Sequence, residues 1–465
     1  MRGLLALLSF SASVLGGNPL VPNVGQADPH IHYWAETSTF YAYATHDASP
    51  DNTGFLMTNW WVWSSPDLVS WTLADVLYPN ATPAPVADYG NCWATDGAHK
   101  RNAATGTMEY FFYMSIGHCQ VAVMKSVTTP AGPWANVLGA PLLNSTLVPG
   151  ACLRDPAVFE DDDGSHYIIA GVFDYYIAKL GDDLVSLAET MRPVKVLDPT
   201  GPYGNKTDDK PFIHKAGGKY YLSWGCFYGI SDSVYGPYTY TGSAIDTVFI
   251  APDFRMNDTN GPWYSHNDYA DRHGSFWTNA AGQWFYASND RSHSTDKHDR
   301  SVFRDTVVGY VHYFSNNSIA PVVIDGTGVG EYDAAHIEAE NFMELRGAAK
   351  KQHLPERGDA FVVSVYDSAA LVYPNIHAAP SSSAPTLLLR VESRGNARVV
   401  VLDTGSDRAI IGHAELPDTR GAFEDVSVQL TTTALTPLSV ELAFSAINEG
   451  SANEKLASID SFRVI

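Results

Sequence analysis

Acidic residues recur at the start of short β-rich repeats, and their spacing is the first sign of a functional site. Each repeat begins with an acid or a histidine and continues as an apolar and aromatic run. A turn and a second such run follow, which predicts a β-hairpin. The repeats start roughly 60 residues apart, at Asp28, Asp96, Asp155, Asp209 and His273.

Five repeats of this size predict a five-bladed β-propeller. The first strand of each blade lines the central channel of a propeller, so the five starting residues should converge at one end of it. A single Asp before Pro or Gly is explained by its turn-forming role. Four aspartates at equivalent positions of the repeats bring like charges close together. This costs free energy unless the charges are paired, solvated or metal-bound. We therefore interpret them as a site.

Composition restricts the class of partner. The chain has 465 residues and a formal net charge of −22, which argues against nucleic acid and an anionic membrane. Aromatic residues make up 12% of the chain, which suits surfaces that stack on sugars and also suits all-β cores.

Residues 1–17 predict a secretory signal peptide, because Arg2 precedes a short apolar run that ends in small residues. We therefore expect a secreted, extracellular protein. Four cysteines allow two disulfides in an oxidising compartment, with three connectivities, or buried thiols. Five glycosylation sequons fit the same expectation: Asn80, Asn144, Asn205, Asn257 and Asn316.

The composition changes near residue 330. All eleven tryptophans lie between Trp34 and Trp284, and the tail consists of short alternating runs separated by turns. We predict an all-β chain with a five-bladed propeller at 18–325, followed by a β-sandwich (jelly-roll) domain at 336–465.

The motifs in combination resemble glycoside hydrolase family 43. The resemblance covers roughly residues 18–323 and implies a five-bladed propeller that hydrolyses glycosides with inversion of configuration. It rests on these segments: Asn18-Pro19-Leu20, Ala27-Asp28-Pro29, Ser64-Ser65-Pro66-Asp67-Leu68, Trp93-Ala94-Thr95-Asp96, Arg154-Asp155-Pro156, and Tyr220-Tyr221-Leu222-Ser223.

Three catalytic roles follow from the resemblance. Asp28 matches the general base, and Asp155 matches the carboxylate that tunes the acid's pKa. The family's acid is normally the Glu of a Glu-Gly-Pro motif, where this chain has Asp209-Lys210-Pro211. Asp209 is thus the predicted acid, with its neighbour Asp208 as the alternative. Such a pair of carboxylates protonates the leaving oxygen and activates water from the opposite face.

Further residues are predicted to bind the sugar. One tryptophan among Trp60, Trp61 and Trp93 is expected to act as a stacking platform. His273 also matches a family histidine that lies near a bound calcium or sodium. The predicted substrate-binding set is Asp208, Asp96, Trp93, Trp61, Arg154, His273 and Arg304.

The tail resembles carbohydrate-binding module family 6 at its entry and exit segments, Ile337–Phe342 and Ala457–Phe462. That resemblance implies a structural calcium held by Glu338, Glu340 and Asp460. The tail has no tryptophan, so we expect it to act as a scaffold rather than to bind sugar.

The predicted function is an exo-acting, inverting hydrolase that removes terminal furanose residues, as a β-D-galactofuranosidase or an α-L-arabinofuranosidase. No cofactor is expected for the chemistry, although a structural calcium is implied in the channel and in the tail. The alternatives are a β-xylosidase or arabinanase of the same family, and a non-catalytic sugar-binding propeller. A retaining hydrolase of the invertase type is ranked below these, because the chain lacks a Glu-Cys motif.

Overall fold

The computed structural model describes residues 17–48, 54–251, 254, 271–292, 303–357, 360–377, 384–405, 407–431, 437–448 and 454–465. The chain is all-β, with thirty-two strands and four short 3-10 turns among these residues. No helix of the described residues is long and apolar enough to span a membrane. The predicted signal peptide at 1–17 lies, except for Gly17, outside the described residues.

Five separate sheets surround a channel and form the predicted five-bladed propeller. In each sheet the strands follow chain order outward, because consecutive hairpins join them. The blades are: blade I, β1 (Gln26–Trp34), β2 (Thr39–His46), β3 (Trp60–Ser65) and β4 (Thr72–Leu77); blade II, β5 (Trp93–Arg101), β6 (Met108–Ile116) and β7 (Gln120–Ser126); blade III, β8 (Ala157–Glu160), β9 (His166–Val172), β10 (Asp174–Lys179) and β11 (Arg192–Val194); blade IV, β13 (Pro211–Ala216), β14 (Lys219–Trp224), β15 (Phe227–Ser231) and β16 (Tyr238–Ser243), with β12 (Val196–Leu197) added to β16; and blade V, β18 (Gly274–Thr278), β19 (Trp284–Asp290) and β20 (Asp305–Val311), beside which β17 (Ile245–Ile250) pairs with β21 (Val322–Ile324).

The ring closes between its first and last blades. Leu20 N–H donates to Thr306 O at 2.8 Å, so the N-terminal segment runs beside β20. The Asn18 amide completes this edge: its Nδ2 donates to Val308 O at 2.9 Å, and its Oδ1 accepts from Val308 N–H at 2.8 Å. Blade I is thereby fixed against blade V, 280 or more residues further along the chain.

The backbone at several blade entrances takes a left-handed conformation. The φ angles are +49° at Asp28, +57° at Asp155, +50° at Lys210 and +53° at Asp271. The first three stand directly before a proline, which disfavours the right-handed helical region for the preceding residue. In blade IV the residue that aligns with Asp28 and Asp155 is therefore Lys210, and Asp209 lies one position earlier.

The region after residue 330 forms eleven strands that curl into one connected sheet. The 18-residue strand β28 organises it, pairing with β30 and β32 through its first half and with β29 and β31 through its second. Alternate residues of β28 are buried, so these side chains form a hydrophobic core on one face of the curled sheet. The strands are: β22 (Tyr332–Asp333), β23 (Ile337–Glu338), β24 (Glu344–Arg346), β25 (Ala349–Leu354), β26 (Ala360–Tyr366), β27 (Ala370–His377), β28 (Thr386–Asp403), β29 (Ala409–Asp418), β30 (Glu424–Gln429), β31 (Leu438–Ala446) and β32 (Lys455–Val464).

One disulfide forms, between Cys119 and Cys152, rather than the two that the cysteine count allowed. It ties the β6–β7 turn of blade II to the segment that leads into blade III. Cys92 and Cys226 are buried thiols in separate hydrophobic clusters, so they are not placed to pair with each other. Of the five sequons, Asn257 lies outside the described residues.

Candidate active site

A pocket of about 160 Å³ lies over the channel at the end where the innermost strands begin. Residues of blades I, II, III and V line it, together with the segment leading into blade IV. The predicted catalytic residues Asp28, Asp155 and Asp209 are all in its wall. The full lining is Asp28, Phe55, Met57, Trp93, Ala94, Arg154, Asp155, Tyr203, Asp209, Asp271, His273 and Arg304.

Asp28 is held by donors on both of its oxygens. Its Oδ1 accepts from Arg304 Nη1 and from Asn289 Nδ2, each at 3.0 Å, and its Oδ2 accepts from the Thr45 hydroxyl at 3.0 Å. Burial alone would raise the pKa of Asp28, but the charges of Arg304 and Lys210 outweigh it and hold the pKa well below its usual value. Asp28 is therefore ionised at any working pH, as a general base requires.

Arg304 was predicted to bind sugar, and the structure places it as a buried hub for three carboxylates. Its Nε and Nη2 bind both oxygens of Asp47 at 3.0 Å, and its Nη1 contacts Asp28 at 3.0 Å and Asp271 at 3.3 Å. Its side chain is 2% exposed. Sequence reasoning missed Asp47 and Asp271, which belong to no motif that the chain repeats.

His273 lies between two pairs of carboxylates. Its Nε2 is 2.6 Å from Asp209 Oδ1 and 3.5 Å from Asp208 Oδ2, while its Nδ1 is 3.3 Å from Asp28 Oδ1. Nδ1 is also 3.6 Å from Asp271. Burial would lower the pKa of His273, but these carboxylates raise it well above its usual value. The ring is therefore an imidazolium. Its Nδ1 hydrogen-bonds Asp28, whereas its Nε2 forms an ion pair with Asp209 without the geometry of a hydrogen bond.

Asp155 sits deeper in the wall. Its backbone N–H donates to the Ser115 hydroxyl at 2.8 Å, and Arg154 Nε lies 3.5 Å from its Oδ2. Burial, reinforced by the negative charge of Asp209, raises the pKa of Asp155 to about 6. Asp155 thus titrates within the range where many hydrolases work.

Asp208 and Asp209 differ in access and in proton affinity. Asp209 lines the pocket with a side chain that is 27% exposed, whereas the Asp208 side chain is 5% exposed and does not line it. Burial and the charge of Asp209 raise the pKa of Asp208 to about 6. For Asp209 the effect of burial is outweighed by the charges of His273 and Arg154, and its pKa is lowered. Its exposure to the pocket favours Asp209 as the acid, whereas the raised pKa of Asp208 favours Asp208.

The aromatic wall is formed by one predicted residue and two unpredicted ones. Trp93 stacks under the Arg154 guanidinium at 4.9 Å, and its Nε1 donates to Phe55 O at 3.0 Å. Phe55 lies over the guanidinium of Arg304 at 5.1 Å and is 41% exposed. Tyr203, six residues before Asp209 in the chain, also lines the pocket. Sequence reasoning missed Phe55 and Tyr203 because each is an isolated aromatic in a loop.

Besides Asp208, two other predicted sugar-binding residues do not line the pocket. Asp96 is fully buried in the channel wall, where its Oδ1 contacts His30 and His32 at 2.9 and 2.7 Å. Trp61 packs within blade I, stacked on His46 with 3.7 Å between ring centroids. Within the predicted trio, Trp60 is also buried, so Trp93 is the tryptophan at the pocket.

The residues around His273 include two groups that could hold the implied calcium. The ligand atoms of Asp28, Asp271 and His273 lie within 4.8 Å of one another, and so do those of Asp208, Asp209 and His273. A histidine that ligates a metal is neutral, so a bound ion would replace the proton that the ring otherwise carries. Arg304 already pairs with Asp28 and Asp271 at 3.0 and 3.3 Å. The calcium of the channel stays a prediction.

The three acids predicted to hold a calcium in the tail do not lie together at one site. Glu338 lies 2.8 Å from His336, and Asp460 lies 3.3 Å from Arg390. Glu340 is buried with Oε2 unbonded among the described residues, and burial raises its pKa well above the usual value. Among the residues that the structure describes, these three acids do not form one cluster able to hold a metal ion.

The chain is similar to known glycosidases. The sequence profile of Glycosyl hydrolases family 43 matches residues 17–308. The β-D-galactofuranosidase xynD of Aspergillus niger is 29% identical over 339 residues, which cover 70% of this chain and 89% of that protein. The arabinoxylan arabinofuranohydrolase of Paenibacillus polymyxa is 30% identical over 268 residues, which cover 48% of this chain and 41% of that protein.

Solved structures show the same fold. The arabinoxylan arabinofuranohydrolase of Bacillus subtilis, determined in complex with cellotetraose, aligns with a TM-score of 0.54 at 20% identity, over 96% of this chain and 97% of that one. A β-xylosidase/α-arabinofuranosidase from a compost microbial metagenome aligns with a TM-score of 0.50 at 25% identity, over 67% of this chain and 99% of that one. Because the family profile covers more than half of the chain and every residue that lines the carboxylate pocket, this chain belongs to glycosyl hydrolases family 43 and is a glycoside hydrolase.

Proposed function

We propose that the protein removes single terminal furanose residues from carbohydrate chains with inversion, as a β-D-galactofuranosidase or an α-L-arabinofuranosidase. The observation that carries the proposal is the pairing of an ionised Asp28 with Asp209 across one small pocket. The galactofuranosidase of Aspergillus niger and the arabinofuranohydrolase of Paenibacillus polymyxa, both similar to this chain, support a furanose substrate.

Asp28 is the proposed base that activates water. It is buried, ionised and fixed by Arg304, Asn289 and Thr45, so it cannot rotate away from the pocket. The charges of two cations, Arg304 and Lys210, hold the pKa of Asp28 low. A carboxylate of this kind polarises a water on the face of the sugar opposite the leaving group.

Asp209 is the proposed acid, with its proton supplied through His273. Asp209 Oδ1 is 2.6 Å from His273 Nε2, which is close enough for the imidazolium to pass its proton to Asp209. When the glycosidic oxygen approaches, that proton passes through Asp209 to the leaving group, and Asp155 keeps the surroundings negative enough to retain it. Asp208, with a pKa raised to about 6, is the alternative donor.

The spacing of the two carboxylates is compatible with inversion. Asp28 Oδ1 and Asp209 Oδ1 lie 3.3 and 2.6 Å from the two nitrogens of one imidazole. Adding the ring width gives an upper limit of roughly 8 Å for their separation, which allows the 6.5–9.5 Å of inverting enzymes and also the shorter spacing of retaining ones.

The size and shape of the pocket support exo action. Its volume is about 160 Å³, and the aromatic wall of Phe55, Trp93 and Tyr203 surrounds it. A pocket of this size favours one terminal ring over an extended chain.

A panel of nitrophenyl glycosides tests the substrate, and proton NMR of the first product tests the stereochemistry. We expect hydrolysis of a β-D-galactofuranoside or an α-L-arabinofuranoside and an initial product with the opposite anomeric configuration. Faster cleavage of a β-xylopyranoside would replace the furanose assignment. The substrate's own configuration in the first product would contradict inversion.

We further propose that the region after residue 330 is a β-sandwich related to carbohydrate-binding module family 6 and serves as a scaffold. The division of β28 between two sets of partner strands supports a sandwich. Secretion is also proposed, and the Cys119–Cys152 disulfide supports an oxidising destination. Enzyme activity in the culture medium of an expressing host, against the cell fraction, tests secretion.

A further inference from the structure

Phe173 is an exposed aromatic residue beside the active site that the proposed mechanism does not use. It is the single residue between β9 and β10 in blade III, and the backbone next to it is bonded to the active-site wall, since Gly171 N–H donates to Arg154 O at 2.8 Å. Phe173 is 43% exposed, and its φ of +62° lies in the left-handed region. Glycine would fit such a turn without strain, whereas a bulky side chain is rare there. Strain of this kind persists where the surroundings or the function require it.

The backbone of Phe173 is fixed to the segment that carries the proposed acid. Its N–H donates to Asp208 O at 2.9 Å, and its carbonyl accepts from the Thr207 hydroxyl. Asp209 follows directly in the chain and lines the pocket. Phe173 therefore lies on the side of the pocket where the acid stands.

Phe173 forms a pair with Tyr203. The two rings meet edge to face, with centroids 5.8 Å apart and an interplanar angle of 78°. Tyr203 is 37% exposed and lines the active-site pocket, whereas Phe173 and Lys206 line a second cavity of about 400 Å³. A single exposed aromatic residue needs no explanation. Two of them in contact, each bordering one of two cavities, form a surface on which a ligand can stack.

We propose that Phe173, together with Tyr203, is the platform for the leaving-group sugar, and that it makes the enzyme prefer furanosides attached to a pyranose ring. This inference rests on the proposed function. In an inverting hydrolase the acid protonates the oxygen of the leaving group, so a surface on the side of Asp209 faces that group. An aromatic face packs well against the C–H face of a pyranose, and contacts with a non-reacting part of the substrate raise kcat/KM.

Two substrates that differ only beyond the scissile bond test the proposal in the full-length enzyme. One is a disaccharide in which the furanose is linked to a pyranose, and the other is the methyl glycoside of the same furanose. Both release an alcohol that needs a proton, so both depend on the acid alike. The ratio of their kcat/KM values therefore measures what the leaving-group ring contributes.

We expect Phe173→Ala to lower this ratio about tenfold, through the disaccharide alone. Phe173→Tyr keeps the aromatic face and should keep the ratio. Phe314→Ala is the matched control, because Phe314 is 40% exposed and does not line the pocket; it should also keep the ratio. Phe173→Asn should lower the ratio as Phe173→Ala does. Since asparagine adopts the left-handed conformation readily, this variant serves if the alanine variant does not fold.

Two results would overturn the inference. Equal losses on both substrates in the Phe173 variants would leave the residue a structural role alone. An unchanged ratio in Phe173→Ala or Phe173→Asn would show that the ring does not contact the leaving group. A wild type that cleaves xylobiose but neither furanoside would contradict the proposed function instead. The ratio for xylobiose and methyl β-xyloside would then test Phe173 in the same way.

Discussion

The two mouths of the propeller channel are made by the same five strands and have opposite chemistry. Where the strands begin, a pocket of about 160 Å³ is surrounded by buried carboxylates and cations. Where they end, a pocket of about 330 Å³ is lined by histidines, tryptophans and phenylalanines. The larger cavity is therefore not the candidate active site.

His214 at the far mouth is kept neutral. His214 is buried, and burial lowers its pKa to about 3. His32, Trp34 and His99 form a stack, with 4.6 and 4.0 Å between ring centroids. Burial also lowers the pKa of His30, inside the channel, to about 4. For His30 burial outweighs the charge of Asp96 at 2.9 Å, whereas for His273 several carboxylates outweigh burial.

The largest expected effect concerns Asp28. Asp28→Asn should lower kcat by about 10³-fold or more on both a natural furanoside and a nitrophenyl furanoside, because water activation serves each substrate. At the far mouth, His214→Asn should change kcat less than threefold. Equal losses in the two variants would contradict the assignment of chemistry to the near mouth.

The next effect concerns Asp209. Asp209→Asn should lower the turnover of a natural furanoside by about 10²–10⁴-fold and spare the nitrophenyl substrate, whose leaving group needs no proton. Asp208→Asn is the matched variant, one residue away. A selective loss in Asp208→Asn, with equal losses in Asp209→Asn, would identify Asp208 as the acid.

A smaller effect is expected for the disulfide beside the near mouth. Cys152 lies two residues before Arg154, and its bond to Cys119 closes a loop of 33 residues. Replacing both cysteines with serine should lower the free energy of unfolding by about 3 kcal/mol, through a less restricted unfolded chain. Urea denaturation measures this change. A loss below about 1 kcal/mol would show that the surrounding strands alone hold the segment.

The smallest effect concerns stability at the far mouth. The pKa of His214 is depressed in the folded state, so its neutral form favours folding above about pH 6.5 and this contribution is lost as the pH falls toward 3. Between pH 7 and pH 5 the loss is about 2 kcal/mol.

His214→Phe should therefore flatten the difference in Tm between pH 7 and pH 5, even if it lowers Tm at both. His413→Gln, on the exposed face of β29, is the control and should leave the difference unchanged. An unaltered pH dependence in His214→Phe would show that His214 does not sense pH.

The sequence predicted the catalytic residues that occupy the same position in each repeat. Asp28, Asp155 and Asp209 were found because each precedes an apolar run at a repeated interval, and the propeller then brings them together. The repeat was less informative about register: Asp209 was aligned with Asp28, whereas Lys210 takes that place in the structure. The missed signal was the residue immediately before each proline.

Other features could not be predicted from local patterns. Asp47 and Arg304 are 257 residues apart, and only ring closure makes them partners. The tryptophan-rich segment of β3 resembled a sugar platform, but Trp61 alternates into the blade core instead. Both failures arise because long-range packing, rather than local sequence, decides which side chain faces the channel.

The closure of the ring has a consequence for biosynthesis. The hydrogen bond from Leu20 to Thr306 cannot form until the last blade has left the ribosome, so most of the propeller is made while the backbone edge around Leu20 is unpaired. Such an edge invites association with other chains. Asn289 and Arg304, which donate hydrogen bonds to Asp28, both belong to that last blade. Hydrolysis therefore begins only after closure, and the onset of activity during refolding reports that step directly.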